Sequence, residues 1–243
     1  MKLTTWMMSA FACATLAACG GASDANDGKP TTGSLPSTTF EIQSLGNEDA
    51  PVVMVEYASV TCVHCAHFHN EILPDLKPRI EAGELRLEFR EFLTAPGDIA
   101  MAGFQIARCA GDDKYFEVLE DLFSNQTGIM TAARNRAGRG ALLAVAQRHG
   151  LNEEQFNVCV RDQKLFDFID STMNTGIELG VNSTPTLIID GEFVDRTAYT
   201  AEGLNALIDQ KLGIEPAVEE EAAEVVEETE AETPTPEETA TEE

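Results

Sequence analysis

The chain has 243 residues, and its 16 Lys and Arg face 42 Asp and Glu, which gives a formal net charge of −26. So large an excess of negative charge argues against nucleic-acid binding, because few cations are left to neutralise phosphates. Residues 40–213 alone are enough for one domain with a sizeable core.

The first residues have the pattern of a secretion signal. Met1-Lys2 is a short basic start, and Leu3 to Ala14 is mostly apolar. The run Leu16-Ala17-Ala18-Cys19 resembles the lipobox of bacterial lipoprotein signal peptides. This implies that residues 1–18 are removed and that Cys19 carries lipid; the alternative is an ordinary signal peptide cut at an Ala-x-Ala-like site. Either way we expect export to the bacterial periplasm or cell envelope, where disulfides persist.

Residues 19–39 predict a flexible tether. They are rich in Gly, Ser, Thr, Asp and Pro and contain almost no large apolar side chain. About 20 residues reach at most ~70 Å when extended and roughly 25 Å as a coil. The domain that follows would therefore stay close to the membrane that holds the lipid.

Residues 40–213 predict one α/β domain with strands at both of its ends. Alternating or continuously apolar runs predict strands at 40–43, 51–57, 84–90, 186–189 and 192–194. Residues 98–180 have apolar side chains at helical spacing, with a loop expected at 131–140. A last helix begins near Thr200 and ends at Gly213. This order is that of a thioredoxin fold with an inserted helical domain.

The motif Cys62-Val63-His64-Cys65 follows the second strand and opens an amphipathic helix. A thiolate in the first helical turn faces unpaired N–H groups and the positive end of the helix dipole, so the pKa of Cys62 should fall. His64 adds a positive charge when protonated. On a helical wheel Cys65 lies on the buried stripe, whereas Cys62 lies at the helix start. One exposed and one sheltered thiol suit thiol–disulfide exchange.

Residues 214–243 predict a disordered acidic tail. From Glu215 to Glu243 the chain has 13 Glu and no Lys or Arg, and this segment supplies half of the net charge. Such a composition cannot bury enough apolar surface to fold. The tail serves solubility in the simplest interpretation; repulsion of anionic surfaces or binding of a basic partner stays open.

Residues 40–213 resemble the DsbA family of thioredoxin-superfamily thiol:disulfide oxidoreductases. The resemblance rests on three separated motifs: Glu56 to Cys65, Arg90-Glu91-Phe92, and Gly180 to Thr186. It implies a DsbA-like fold and an enzyme whose Cys62/Cys65 couple forms disulfides in reduced protein substrates, with no cofactor and no metal. It also implies a DsbB-like membrane partner that reoxidises the couple.

The resemblance implies roles for three further residues. Pro185 would be a cis-proline facing the dithiol, and Thr184 would offer its backbone to a substrate peptide. Glu56 would be a buried acid that passes a proton as Cys65 cycles. The alternatives are a trans turn proline at 185, and a structural carboxylate at 56 that pairs with His69 at the edge of the buried stripe. His64 could likewise face solvent without electronic effect.

Cys109 and Cys159 fall inside the predicted insertion. Paired cysteines at such places occur in some DsbA-like branches, so the resemblance favours a structural disulfide between them. Two buried free thiols are the alternative. Closing a loop of about 50 residues would contribute ~4 kcal/mol in the chain-entropy model.

Two departures from the family pattern leave the direction of electron flow open. Val63 replaces a common proline, and Thr184 replaces the valine of dedicated oxidases. An isomerase or reductase of the same fold is therefore an alternative to the oxidase. A second alternative is a copper- or zinc-binding lipoprotein that uses Cys62, Cys65 and His69, since thiolate and imidazole ligands cluster there.

Overall fold

The computed structural model describes residues 40–214. The predicted signal peptide at 1–18, the lipidated Cys19, the tether at 19–39 and the tail beyond residue 214 lie outside the described residues and stay predictions. Along the part that the structure describes, no helix is long and apolar enough to cross a bilayer.

Five strands form one mixed sheet in the order β1-β3-β2-β4-β5. The bounds are β1 Gln43–Leu45, β2 Val52–Ala58, β3 Leu85–Glu91, β4 Thr186–Ile189 and β5 Glu192–Phe193. Strand β2 lies at the centre, parallel to β3 and antiparallel to β4. Its mostly apolar sequence follows from this place, because side chains on both faces are covered. The α/β prediction is confirmed.

The first strand begins three residues later than predicted. Its residues Gln43–Leu45 pair antiparallel with Phe89–Leu87 of β3. Phe40, which the alternating pattern placed in the strand, instead packs its ring against Phe168 of the insertion, with 5.9 Å between centroids. The prediction of a strand at 40–43 was therefore wrong in its bounds, since only Gln43 belongs to the observed strand.

Helices connect and cover the sheet. The chain after β2 enters α1, a π-helical turn and α2, and the chain after β5 ends in α9; the bounds are Val63–His67, Phe68–Ile72, Leu73–Glu81 and Ala201–Leu212. Six helices, α3 to α8, form the insertion between β3 and β4. They are Gly97–Cys109, Tyr115–Ser124, Gln126–Arg134, Gly138–Arg148, Glu153–Cys159 and Gln163–Glu178.

The predicted loop at 131–140 is mostly helical. Helix α5 continues to Arg134, and α6 begins at Gly138, so the connection is only three residues long. Gly138 permits a close approach between helices: a Cβ there would lie 2.8 Å from Ile99 Cδ1 and 3.1 Å from Ala133 Cα. A side chain at this position would crowd α3 and α5, and the glycine does not interrupt the helix.

Two large clusters of buried side chains make up most of the core. One fills the space between the sheet and the insertion and contains Cys65, Phe89 and Phe104. The other lies under α2 and α9 and contains Phe68, Ile72 and Leu76, among others. The helix that carries the dithiol contributes to both clusters, so its position is fixed by the whole core.

Candidate redox-active site

The dithiol lies where the central strand ends and a helix begins. Strand β2 ends at Ala58, and Cys62 is the N-cap residue of α1 with an extended backbone. No side chain caps this helix start. The backbone N–H groups of His64 and Cys65 instead stabilise the Cys62 thiolate. The sulfur thus occupies the place of a capping group, where helix starts favour negative charge.

The two thiols have opposite environments, and both are free in this structure. The pKa of Cys62 falls to about 5, chiefly because the Cys65 thiol donates a hydrogen bond to its sulfur; partial burial opposes this, and the Thr184 side chain assists it. Burial raises the pKa of Cys65 far above its usual range, and the Cys62 thiol and the Glu56 charge act in the same direction. At neutral pH the pair therefore holds one thiolate and one thiol.

A π-helical turn at Phe68–Ile72 follows the dithiol. Because its hydrogen bonds span five residues, it rotates the following side chains relative to an α-helical wheel. Phe68, His69 and Ile72 are all buried as a result. A regular wheel put His69 only at the edge of the buried stripe, and no sequence pattern indicated the π turn.

Glu56 and His69 form a buried pair next to the dithiol. Glu56 Oε2 lies 2.9 Å from His69 Nε2, and the Glu56 side chain is fully buried in the central strand. The imidazole stacks on Phe123 at 4.1 Å between centroids and meets Phe89 edge-on. The predicted Glu56–His69 contact is confirmed. Among the described residues, Glu56 Oε1 has no hydrogen-bond partner.

The loop before β4 faces the dithiol. The Thr184–Pro185 peptide bond is cis. Cys62 Sγ lies 3.3 Å from the backbone oxygen of Thr184. A groove lies beside this contact. Its apolar side chains are Phe68, Ile72, Pro185 and Tyr199, and its polar lining includes His64 and Arg196. The groove and the Thr184 backbone therefore lie side by side next to Cys62.

His64 lies at the rim of this site with an exposed side chain. It stabilises the Cys62 thiolate through its backbone N–H. An electronic effect of its imidazole stays a prediction.

Three hydroxyl groups hold the loop that carries the dithiol, and no sequence motif indicated them. Thr61 Oγ1 lies 3.0 Å from Ser59 Oγ and 2.8 Å from Thr94 Oγ1. The backbone N–H of Thr94 also donates to Ser59 Oγ at 3.2 Å. Thr94 immediately precedes a second cis peptide bond, Ala95–Pro96. The segment after β3 therefore supports the loop after β2.

Metal binding has little support at this site. Within residues 40–214 no group of three or more His, Cys, Asp or Glu side chains could hold a metal ion. His69, the third ligand in that hypothesis, directs Nε2 to Glu56.

The structure contains a disulfide between Cys109 and Cys159, the pairing that the family resemblance implied. It joins the end of α3 to the end of α7, with 6.1 Å between the Cα atoms. Both residues are fully buried. The bond therefore lies within the helical insertion, apart from the Cys62–Cys65 site.

A thioredoxin sheet with a dithiol at the helix start and a cis-proline opposite defines a class of protein, the thiol:disulfide oxidoreductases. The thioredoxin family model matches residues 39–210, so the chain belongs to the thioredoxin family. In its helical insertion the fold is DsbA-like, as predicted.

Named proteins with the same architecture agree with this class. Alpha-DsbA1 of Wolbachia pipientis is 26% identical, with a TM-score of 0.63 over 74% of this chain and 94% of that one. A protein of Rickettsia bellii named as a protein-disulfide oxidoreductase is 29% identical over 72% of this chain. The chain spans 67% of that relative and 63% of a Rickettsia conorii relative. Bacillus subtilis BdbD shares the fold, with a TM-score of 0.62 at 16% identity.

Proposed function

We propose that the protein is an oxidase that introduces disulfides into reduced protein substrates. The observation that carries this proposal is the low pKa of Cys62, about 5, beside a Cys65 thiol whose pKa is raised. A stabilised thiolate favours the reduced form of the couple, and a couple with a favoured reduced form takes electrons from other thiols. The same property makes Cys62 a good leaving group.

The exchange proceeds in two steps that move two electrons. A substrate thiolate attacks Cys62 Sγ of the enzyme disulfide, the Cys62–Cys65 bond breaks, and Cys65 leaves and takes up a proton. A second substrate thiolate then attacks the substrate sulfur of the mixed disulfide and releases Cys62 as a thiolate. The substrate gains a disulfide, and the enzyme is left with the dithiol found in this structure.

Buried groups around the couple support this sequence of steps. Glu56, whose charge raises the pKa of Cys65, is the nearby acid that gives or takes the Cys65 proton, and His69 holds its carboxyl in place. Thr184 presents its backbone to the substrate, and Pro185 fixes that backbone against Cys62.

The experiment that tests the oxidase is the equilibrium of the Cys62–Cys65 couple with glutathione. We expect the reduced form to dominate at glutathione ratios that leave a typical structural disulfide oxidised. A double Cys109→Ala/Cys159→Ala variant is the control, because it leaves one redox couple in the folded domain. If the couple stays oxidised in a reducing glutathione buffer, the oxidase proposal fails and the reductase or isomerase gains.

We also propose that the protein works in the bacterial cell envelope, held there by lipid on Cys19. The support is the resemblance of residues 16–19 to a lipobox. Cells expressing the full chain should incorporate labelled palmitate into it, and Cys19→Ser should abolish the label; incorporation that survives Cys19→Ser would overturn the anchor.

A DsbB-like membrane protein would return the couple to the disulfide form. Without Cys65 the mixed disulfide cannot be resolved, so in a Cys65→Ala variant the partner should accumulate in a disulfide with Cys62. A partner joined equally well in Cys62→Ala would contradict this.

A further inference from the structure

Gln126 is a buried polar residue that no sequence motif singled out. It is the first residue of α5, in the helical insertion, and it is 6% exposed. Its side-chain nitrogen Nε2 donates to two backbone oxygens, Val60 O and Cys62 O, each at 2.9 Å. Both oxygens belong to the loop that carries the nucleophilic thiol. An insertion helix thus contacts the backbone of Cys62 itself.

The backbone of Cys62 is held at both of its polar groups. Its N–H donates to Ser59 O at 3.0 Å. Its oxygen accepts the Ala66 N–H at 3.1 Å, the first hydrogen bond of α1, together with the Gln126 amide. A carbonyl oxygen has two lone pairs, and both are used here. The orientation of the Cys62–Val63 peptide plane therefore depends on Gln126 as well as on the helix.

This orientation sets where Sγ lies relative to the helix start. The sulfur is stabilised by the N–H groups of His64 and Cys65, and hydrogen bonds weaken steeply as geometry worsens. We propose that Gln126 is a positioning residue for the redox couple, because it holds the Cys62 carbonyl so that the sulfur stays over these N–H groups. This inference rests on the proposed exchange function of Cys62 and deepens it.

Loss of the Gln126 amide frees the loop on the insertion side. The sulfur then spends less time within reach of both N–H groups, and the thiolate loses part of its advantage over the thiol. A purely structural glutamine would behave differently, because its loss would lower stability and leave the Cys62 thiolate unchanged.

The insertion provides a matched control residue. Gln105 in α3 is also a buried glutamine, 3% exposed, and its Nε2 donates to the backbone oxygen of Asp162 at 3.2 Å. That contact lies within the insertion and does not involve the dithiol loop. Gln105→Met and Gln126→Met therefore remove the same chemical group from similar surroundings, and only the second reaches Cys62.

The test measures Cys62 alkylation by iodoacetamide as a function of pH in the reduced full chain. In Gln126→Met we expect the midpoint to rise by about half a pH unit, roughly a threefold change in the ionisation constant. The equilibrium with glutathione should move by a similar factor toward the disulfide form. Gln105→Met should leave both measurements at the wild-type values, although it lowers the thermal midpoint of unfolding.

An unchanged alkylation midpoint in folded Gln126→Met overturns the inference. If Gln126→Met does not fold, Gln126→Asn takes its place, because it keeps the amide but withdraws it by one methylene. In Gln126→Asn we expect a smaller upward shift of the alkylation midpoint. An unchanged midpoint in that variant would also overturn the inference. This inference and the proposed oxidase are tested by separate measurements. The alkylation midpoint of Gln126→Met tests the inference and needs no protein substrate, whereas the glutathione equilibrium of the wild type tests the oxidase.

Discussion

The protein contains two cysteine pairs in the described residues, and they differ in nearly every respect. Cys62 and Cys65 lie three residues apart at a helix start, as free thiols, with one half-buried sulfur whose pKa is about 5. Cys109 and Cys159 lie 50 residues apart, fully buried, and are joined in a disulfide. The environment therefore decides what a pair of sulfurs does: exchange needs one stabilised, accessible thiolate, whereas burial keeps the crosslink away from attacking thiols.

The two parts of the fold that hold these pairs also differ in what they contribute. The sheet and its first helix carry the exchange site. The insertion carries the crosslink and reaches the site through Gln126, whose amide holds the Cys62 carbonyl. Each of the following predictions separates the two pairs.

The largest expected effect is loss of exchange in Cys62→Ser. A serine hydroxyl at neutral pH cannot replace the thiolate, so oxidation of a reduced peptide should fall by at least ~10³-fold. The matched control is Cys109→Ser/Cys159→Ser, which should keep near wild-type exchange per folded molecule. Comparable loss in the control would mean that the second pair takes part in electron transfer.

The second pair should matter for stability instead. The Cys109–Cys159 crosslink closes a loop of about 50 residues and so lowers the entropy of the unfolded chain. Because Cys109→Ala/Cys159→Ala returns that entropy, it should lower the free energy of unfolding by about 4 kcal/mol. The measurement is denaturant unfolding of wild type and variant with the Cys62–Cys65 couple in the same redox state. The pH midpoint of Cys62 alkylation should not move, and a shift above half a pH unit would contradict the separation of the two pairs.

The pH dependence of the stability difference between the reduced and oxidised proteins should follow the exchange pair. The folded pKa of Cys62 is depressed to about 5, so the reduced form gains stability as pH rises from about 5 to the unfolded thiol value of about 8.5. That gain is lost as pH falls through 5. Above about 8.5 the gain reverses, because Cys65 ionises in the unfolded chain but stays a thiol in the fold.

Between pH 5 and pH 8.5 we expect the free energy of unfolding of the reduced protein to rise by about 2 kcal/mol, after discounting for the solvent exposure of Cys62. The measurement compares the free energies of unfolding of the reduced and oxidised proteins at several pH values. An advantage of the reduced form that is the same at pH 4 and pH 8 would exclude the stabilised thiolate.

The smallest expected effect concerns the two buried carboxylates. Glu56→Gln removes the acid beside Cys65, so turnover with a dithiol peptide should fall about 10-fold or more, and its pH profile should change. The control is Glu91→Gln: Glu91 is also fully buried, but its partners are Arg108 and Tyr115. That change should lower stability and leave the pH profile intact, whereas equal effects on the profile would remove Glu56 from proton transfer.

The exchange site was predictable because its chemistry is local. A strand followed directly by Cys62-Val63-His64-Cys65 and a helix determines that one sulfur meets unpaired N–H groups, whatever the rest of the fold does. The resemblance at Gly180 to Thr186 added the cis-proline, which the structure contains. Element types were largely right for the same reason, since periodicity reports which faces are buried.

The errors and omissions lie where distant segments meet. The strand predicted at 40–43 shares only Gln43 with β1, and most of the loop predicted at 131–140 belongs to the end of α5 and the start of α6. No local pattern indicated the π-helical turn at Phe68–Ile72. These features depend on packing between elements, which outweighs local preference when side chains compete for the same space.

A helix-start dithiol in an α/β domain follows from the amino-acid order, because strand, motif and helix are contiguous. How strongly the fold shifts the pKa values of that dithiol depends on groups brought to it by tertiary packing. The groups that surround it come from β2, the π turn, the loop before β4 and the insertion: Glu56, His69, Thr184 and Gln126. They act over a few ångströms but are separated by up to 128 residues, and contacts of that kind exist only once the chain has folded.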